Sequence, residues 1–467
     1  MDAETAALFF GLGVAQTATL GTQQIQDAVA SLTRAFDYYV EVGEVARAVA
    51  VAEHPFTISP GQTTGASQLI TRALALVPSD SYEAGRLLSR YVTVLVIEGG
   101  EYEAAQEVFS SALDIARREG DEALEMRILA GATDPDVNYL RLQGALVKSL
   151  RALELAQHAD DPRTEVHARY FGGMAQLYMA DLEGTRQQAA AMLAPAERLR
   201  DHHLLAGAHY LNQITSSLVG NWQSSRESSD RGLAVSPMDT RLLCSRAMLE
   251  SEVGEIDRAF AYLERFLEAM RLSAPGPTLV YSWTALLIPS LARITGRMDQ
   301  LDVAAEAAVA VLSSHLVTPM VSLISRYGLA MLAVLRSDAA SAEEQYAALE
   351  SGRGIGVPAS IMRTVRAVPI SFTPAARLLG LLAQTMGNLD RAMAHFEDSL
   401  TLCRNAGFRP DLAWTCCDYS DALLQRNSEG DRSKAMSLLD ESLAIASELG
   451  MRPLMERVLS RRDILTA

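Results

Sequence analysis

Few arrangements of residues in this chain could do chemistry, and each has a plainer reading beside it. Gly352, Gly354 and Gly356 in SGRGIGVP are spaced like the glycines of a phosphate-cradling loop. Such a loop needs a preceding strand, a following helix N-terminus and a lysine or hydroxyl at set spacing. None is evident, so the stretch reads as a structural loop. His202, His203 and His209 are close in sequence, yet on a helix His203 and His209 face different sides and His202 and His209 stand two turns apart, which does not gather a metal. Asp134, Asp136, Asp160 and Asp161 sit at proline-marked breaks, where carboxylates cap helices more often than they form acid–base pairs. Cys244, Cys403, Cys416 and Cys417 show no C-x-x-C spacing and read as reduced, buried thiols. We therefore expect no catalytic residue, no cofactor and no metal; the chain reads as a binding protein and not an enzyme.

Composition narrows the partners. The net charge is −16, and Lys148 and Lys434 are the only lysines, with the arginines scattered among Asp and Glu. Nucleic-acid affinity rests on clustered cations, so no direct DNA or RNA contact is expected. Asp2 and Glu4 stand where a secretory signal carries positive charge. The stretch Leu279 to Ile294 is broken by Ser282, Pro289, Ser290 and Arg293, too short and polar to span a bilayer. The reading is a cytoplasmic chain with no membrane contact.

At 467 residues, 49% of them apolar but only 6% aromatic, the chain exceeds one ordinary core and favours close helix packing through small residues. The most legible stretch, PAARLLGLLAQTMGNLDRAMAHFEDSL from Pro374 to Leu400, describes two helices with a turn at Gly387-Asn388 and with Ala392, Phe396 and Leu400 four apart on the second. Taking Ala392 as a ruler, equivalent positions recur at Ala28, Ala66, Ala105, Ala145, Thr185, Ser225, Ala259, Leu301, Ala342 and Ala435, mostly about 40 residues apart. Five residues before them stand Gly61, Gly100, Gly220, Gly254, Gly296, Gly387 and Gly430, as a turn with positive φ would require.

These offsets resemble the tetratricopeptide repeat, W-x2-L-G-x2-Y then A-x3-F then P, at a period longer than the usual one of about 34 residues. The match is strong for Ser89 to Ala116, Tyr210 to Pro237 and Pro374 to Leu400, and weak for the first helices near Ala50 and Thr133. The phrases RAFDYYVEVGE, ALEMRIL, MLAPAERLRD, YLERFLEAMRL, AWTCCDY and ELGMRPLMERVLSRR resemble more narrowly the C-terminal repeat region of large bacterial signalling ATPases, cyclase-linked or LuxR-type. In that family such a region is joined to an ATPase module and a cyclase or helix-turn-helix domain. This chain has no G-x4-G-K-[ST], so ATP hydrolysis carries over to no residue, and it shows no helix-turn-helix, so DNA binding does not carry over either.

The resemblance implies an all-α, right-handed superhelical solenoid of about eleven helix pairs, with 1–350 as the main array, 351–373 as an irregular linker or hinge, and 374–467 as two last repeats and a capping helix. It also implies that the residue ten before each turn points into a concave groove. There stand Arg90, Tyr170, Tyr210, Tyr327 and Arg377, along with Cys244 and Leu286. Tyrosines and arginines on one face suit a protein, a peptide or a small effector. The expected function is a non-catalytic binding module of a bacterial signalling or transcription regulator, the alternative being a free-standing scaffold that joins two partners.

Overall fold

Every turn glycine of the ruler is left-handed in the computed structural model, which describes residues 1–20, 24–368 and 373–466, apart from the side chains of 464–466. The φ values of Gly61, Gly100, Gly220, Gly254, Gly296, Gly387 and Gly430 lie between 68° and 83°. Among the described residues, three of the repeats without a glycine at that position place Leu140, Ala180 and Ser337 there, with φ of 57°, 63° and 53°. The turn geometry is therefore imposed by the packing of the helices it joins, and glycine merely lowers its cost.

Helices succeed one another in antiparallel pairs: α1 (Ala3–Thr19) with α2 (Ile25–Glu41), α3 (Val45–Ala52) with α4 (Ala66–Leu74), α5 (Tyr82–Gly99) with α6 (Tyr102–Glu119). In the fourth pair the first helix is broken into α7 (Glu122–Gly131) and α8 (Thr133–Asn138), and α9 (Leu142–Leu155) is the second. Then come α10 (Pro162–Tyr178) with α11 (Leu182–Leu199), α12 (His202–Leu218) with α13 (Trp222–Val235), and α14 (Thr240–Glu252) with α15 (Ile256–Arg271). Next are α16 (Leu279–Thr295) with α17 (Leu301–Leu312) and α18 (Pro319–Arg336) with α19 (Ala339–Ser351). After the short α20 (Ala359–Met362) and the strands β1 (Ala367–Val368) and β2 (Thr373–Pro374), α21 (Ala375–Thr385) pairs with α22 (Leu389–Ala406) and α23 (Arg409–Arg426) with α24 (Asp431–Leu449). Helix α25 (Arg452–Thr466) follows them. This is an all-α helical-repeat solenoid of eleven pairs among the described residues.

The ruler positions explain the pairing. All eleven, from Ala28 to Ala435, fall in the second helix of a pair and are buried, Leu301 being the most open at 8%. Small residues there let the two helix axes approach closely. Phe396, four past Ala392, is fully buried. It stacks on Tyr419 with ring centroids 5.6 Å apart, against Gly380, where an added Cβ would come within 2.9 Å of its ring. Helix α18 is long and apolar enough to cross a membrane, but 72% of it is buried inside the fold, so its apolarity is accounted for by packing.

The expected open groove is closed. Residues far apart in sequence meet across the inside of the superhelix: Trp222 Nε1 donates to the Leu449 carbonyl at 2.7 Å, Trp414 Nε1 to Glu252 Oε2 at 2.8 Å, and Arg452 Nε to the Val253 carbonyl at 3.0 Å. Helix α14 shows the result, with every residue from Arg241 to Glu252 buried. The segment 351–373, expected to be a linker or hinge, is irregular but not loose. Ile355, Val357, Met362, Val365, Ala367 and Val368 join the principal core, β1 and β2 pair antiparallel, and the Arg366 amide donates to the Tyr178 carbonyl at 2.7 Å. Residues 369–372 of that segment, and the side chain of Ile464 on the capping helix, lie outside the described residues.

Candidate ligand-binding cavities

Two first helices depart from the regular pattern, and their departures open the interior. Helix α3 is only eight residues long, so the chain from 53 to 65 runs irregularly before α4. The break between α7 and α8 turns Asp134, Val137 and Asn138 inward. Gly131 stands at that break, where a Cβ would lie 3.2 Å from the Ser89 carbonyl.

The larger cavity, ≈ 470 Å³, is walled by parts of the chain from the end of α1 to the start of α18. That volume falls within the range of small-molecule sites, about 300–1,000 Å³. Tyr170, Phe171, Met174, Tyr178, Tyr210 and Trp283 supply an aromatic and apolar wall. A polar end faces them. Asp239 caps α14 and pairs with Arg241, whose Nη2 lies 2.6 Å from Asp239 Oδ2 and also donates to the His203 carbonyl at 3.0 Å, while the guanidinium lies over the Tyr170 ring at 5.5 Å. Burial alone would raise the Asp239 carboxyl, but Arg241 pulls it below the usual carboxylate range. Burial and then Arg241 push the His203 imidazole down to about 4. Asn138 Nδ2 donates to Asp134 Oδ1 at 2.7 Å, and burial raises that carboxyl to about 7 against the opposing pull of Asn138 and Arg90. Asn138 Oδ1 and Thr278 Oγ1, both on residues bordering the cavity, are buried without a hydrogen-bond partner. An amphipathic organic molecule would answer both, its ring or chain against the aromatics and its polar groups toward the orphaned atoms.

A second cavity, ≈ 300 Å³, adjoins the first at Thr57 and is lined by α5, α7, α10 and the chain after α3. Its side chains include Arg86, Arg90, Arg127, Arg163, His54, His167 and Glu53.

The groove residues expected from the resemblance are therefore dispersed. Tyr170 and Tyr210 border the large cavity and Arg90 the second. Tyr327 and Arg377 border neither: Tyr327 is 2% exposed within the principal core, and Arg377 is consumed by Asp418, 2.8 Å from its Nε, and Asp411, 3.5 Å from its Nη1. Cys244 and Leu286 are also core. Of the aspartates expected as caps, Asp161 does cap α10, accepting from the Thr164 amide at 3.1 Å. Asp136 instead accepts from Tyr102 Oη at 2.8 Å and from Lys148 Nζ at 2.7 Å, because the break in the helix turns it inside. Among the described residues no three His, Cys, Asp or Glu side chains gather as a metal site. Asn138, Arg241 and Trp283 carry no signal of their own in the sequence, and Asp134 reads there only as a helix cap. The weak repeat match near Ala50 and Thr133 was the one signal that pointed toward them.

Residues 378–405 match the tetratricopeptide repeat. That span is the α21–α22 pair, where Gly380, Gly387, Ala392 and Phe396 set the ruler. No curated protein matches the sequence. Among solved structures, the chain aligns with one described as the APC/C hetero-tetramer Cut9-Hcn1 at 14% identity and a TM-score of 0.46, covering 98% of this chain and 90% of that one. It aligns with the P58(IPK) TPR domain at 14% identity and a TM-score of 0.24, covering 93% and 99%. With overlaps this loose, the fold rests on the helix pairs described above, and nothing about partners passes from those proteins to this chain.

Proposed function

We propose that this chain is a non-catalytic binding module whose central cavity takes a small amphipathic effector, in the cytoplasm, and relays its arrival to a linked domain. By the resemblance of its phrases, that domain is the ATPase, cyclase or LuxR-type helix-turn-helix of a bacterial signalling or transcription regulator. One observation carries the reading: the cavity wall is drawn from the first to the ninth pair, so an occupant touches distant pairs at once and can shift how they close on one another. Protein or peptide partners then engage the outside of the solenoid, since the inside is taken up by the closure. The competing reading, a scaffold joining two proteins without an effector, needs no such cavity.

Native mass spectrometry of the chain purified from the cytoplasm tests this. The expected result is a retained organic molecule that is lost in Ser236→Trp, a substitution that places a ring in the cavity from the loop before α14. A chain that carries nothing, and whose melting is unmoved by small-molecule extracts of the same cytoplasm, would overturn the effector reading in favour of the scaffold.

A further inference from the structure

We propose that the second cavity binds a small oxyanion that also carries a hydroxyl, such as hydrogenphosphate. Four guanidinium groups converge on it from three first helices: Arg86 and Arg90, one turn apart on α5, Arg127 on α7 and Arg163 on α10. Two are already answered, Arg86 by Glu53 and Arg163 by Asp201, whose Oδ2 lies 2.8 Å from its Nη1. The other two form no ion pair among the described residues. Arg90 Nη2 donates to the Phe56 carbonyl at 2.5 Å with the guanidinium 4.4 Å over the Phe56 ring, and Arg127 Nε reaches only the Ala123 carbonyl at 3.4 Å. A desolvated guanidinium without a counter-charge is costly, and guanidinium donors suit phosphate and carboxylate oxygens above other acceptors.

The atoms left unpartnered specify more than charge. Arg90 Nε, His167 Nε2 and Glu53 Oε2 are all buried without a hydrogen-bond partner. An oxyanion accepts from Arg90 and, in the tautomer protonated at Nε2, from His167. Glu53 Oε2 can only accept, so the ligand must also present a proton there. Asp161, the other carboxylate on the wall, is spent on Thr164, accepting from its amide at 3.1 Å and its hydroxyl at 2.7 Å. The local field agrees with this assignment: burial first, and then Arg90 and Arg163, push His54 down to about 4 and His167 to about 3, so both imidazoles are neutral. The inference stands apart from the occupant of the larger cavity.

Equilibrium dialysis of the whole chain against inorganic phosphate, citrate and sulfate decides it. Phosphate or citrate binds saturably, phosphate alone marking a phosphoryl ligand and citrate alone a hydroxycarboxylate. Sulfate, which has no proton for Glu53 at neutral pH, binds roughly tenfold more weakly or worse. Arg127→Gln, which gives up a single backbone hydrogen bond, lowers the affinity roughly tenfold while leaving the far-ultraviolet circular dichroism unchanged. The proposal is overturned if neither phosphate nor citrate saturates, if sulfate equals phosphate, or if Arg127→Gln and Arg90→Gln, both folded, bind as the wild type does.

Discussion

The indole of Trp222 donates to the carbonyl of Leu449 across 227 residues of sequence. Around that bond the inner surfaces are pressed together: a Cβ on Gly220 would lie 2.7 Å from the Leu449 side chain, and one on Gly254 3.2 Å from Arg452. Arg293 reaches Asp418 at 2.5 Å a little further along the same seam. Solenoid stability is ordinarily a sum of each repeat and its neighbours. This seam adds contacts between the middle pairs and the last ones.

Trp222→Phe keeps a ring in the seam but removes its donor. The expected cost is about 1 kcal/mol in chemical denaturation, with faster amide exchange at the junction of α24 and α25. An unchanged exchange pattern at residues 449–458 would mean that the seam is held elsewhere.

The seam should loosen as pH rises. Burial lifts the Glu252 carboxyl from 4.5 to about 7, against the Trp414 hydrogen bond and the charge of Arg377. The folded chain therefore holds a proton there that the unfolded chain has released, and this stability is lost as pH rises between about 4.5 and 7. Asp418 works at the other end: burial opposes its ionisation, but Arg293 and Arg377 lower it to about 2, so its contribution is present above 3.8 and lost as pH falls toward 2. Glu252→Gln retains an acceptor for Trp414 and cannot ionise. It should match the wild type near about pH 4 and exceed it by on the order of 2 kcal/mol above about pH 7. Parallel stability profiles for the two proteins would show that Glu252 is ionised in the fold. Asp134, also raised to about 7, leaves a residual slope in both.

The left-handed turns give a contrast between two positions. Ala180, at φ 63°, is half-buried, and Ala180→Gly should raise stability by about 0.5–1 kcal/mol by relieving strain. Leu140, at φ 57°, is fully buried, and Leu140→Gly should instead destabilise by about 2–5 kcal/mol through the lost side chain. Urea denaturation of the two variants checks the pair, and the same sign for both would mean that turn strain is not the governing factor at Ala180.

The repeat was legible because helix pairing is local. Ala28 to Ala435 mark the close contacts within each pair, and their spacing alone assigned all eleven to second helices. The closure was not legible, because it depends on the rotation accumulated over many pairs, and no local pattern relates Trp414 to Glu252 across 162 residues. Arg377 was misplaced for the same kind of reason. Its position in the repeat faces inward, but the carboxylates that take it up, Asp411 and Asp418, lie on the first helix of the next pair. They could have been suspected from charges set into a helix that is otherwise buried. The cavities were foreshadowed only as places where the pattern failed, at the short α3 and the divided helix at Ala132, since an irregular first helix leaves a space its neighbours cannot fill.

A chain that closes on itself cannot be completed from one end. Glu252 must wait for Trp414, and Trp222 for Leu449, so about 200 further residues have to be synthesised before the seam can form. At roughly 5–20 residues per second that is an interval of roughly 10–40 s. In that interval the buried charges of α14 face an unfinished interior, and the earlier pairs keep their shape through neighbour contacts alone. The emerging chain is then at its most vulnerable to aggregation, and it passes that point only when α23 to α25 have left the ribosome.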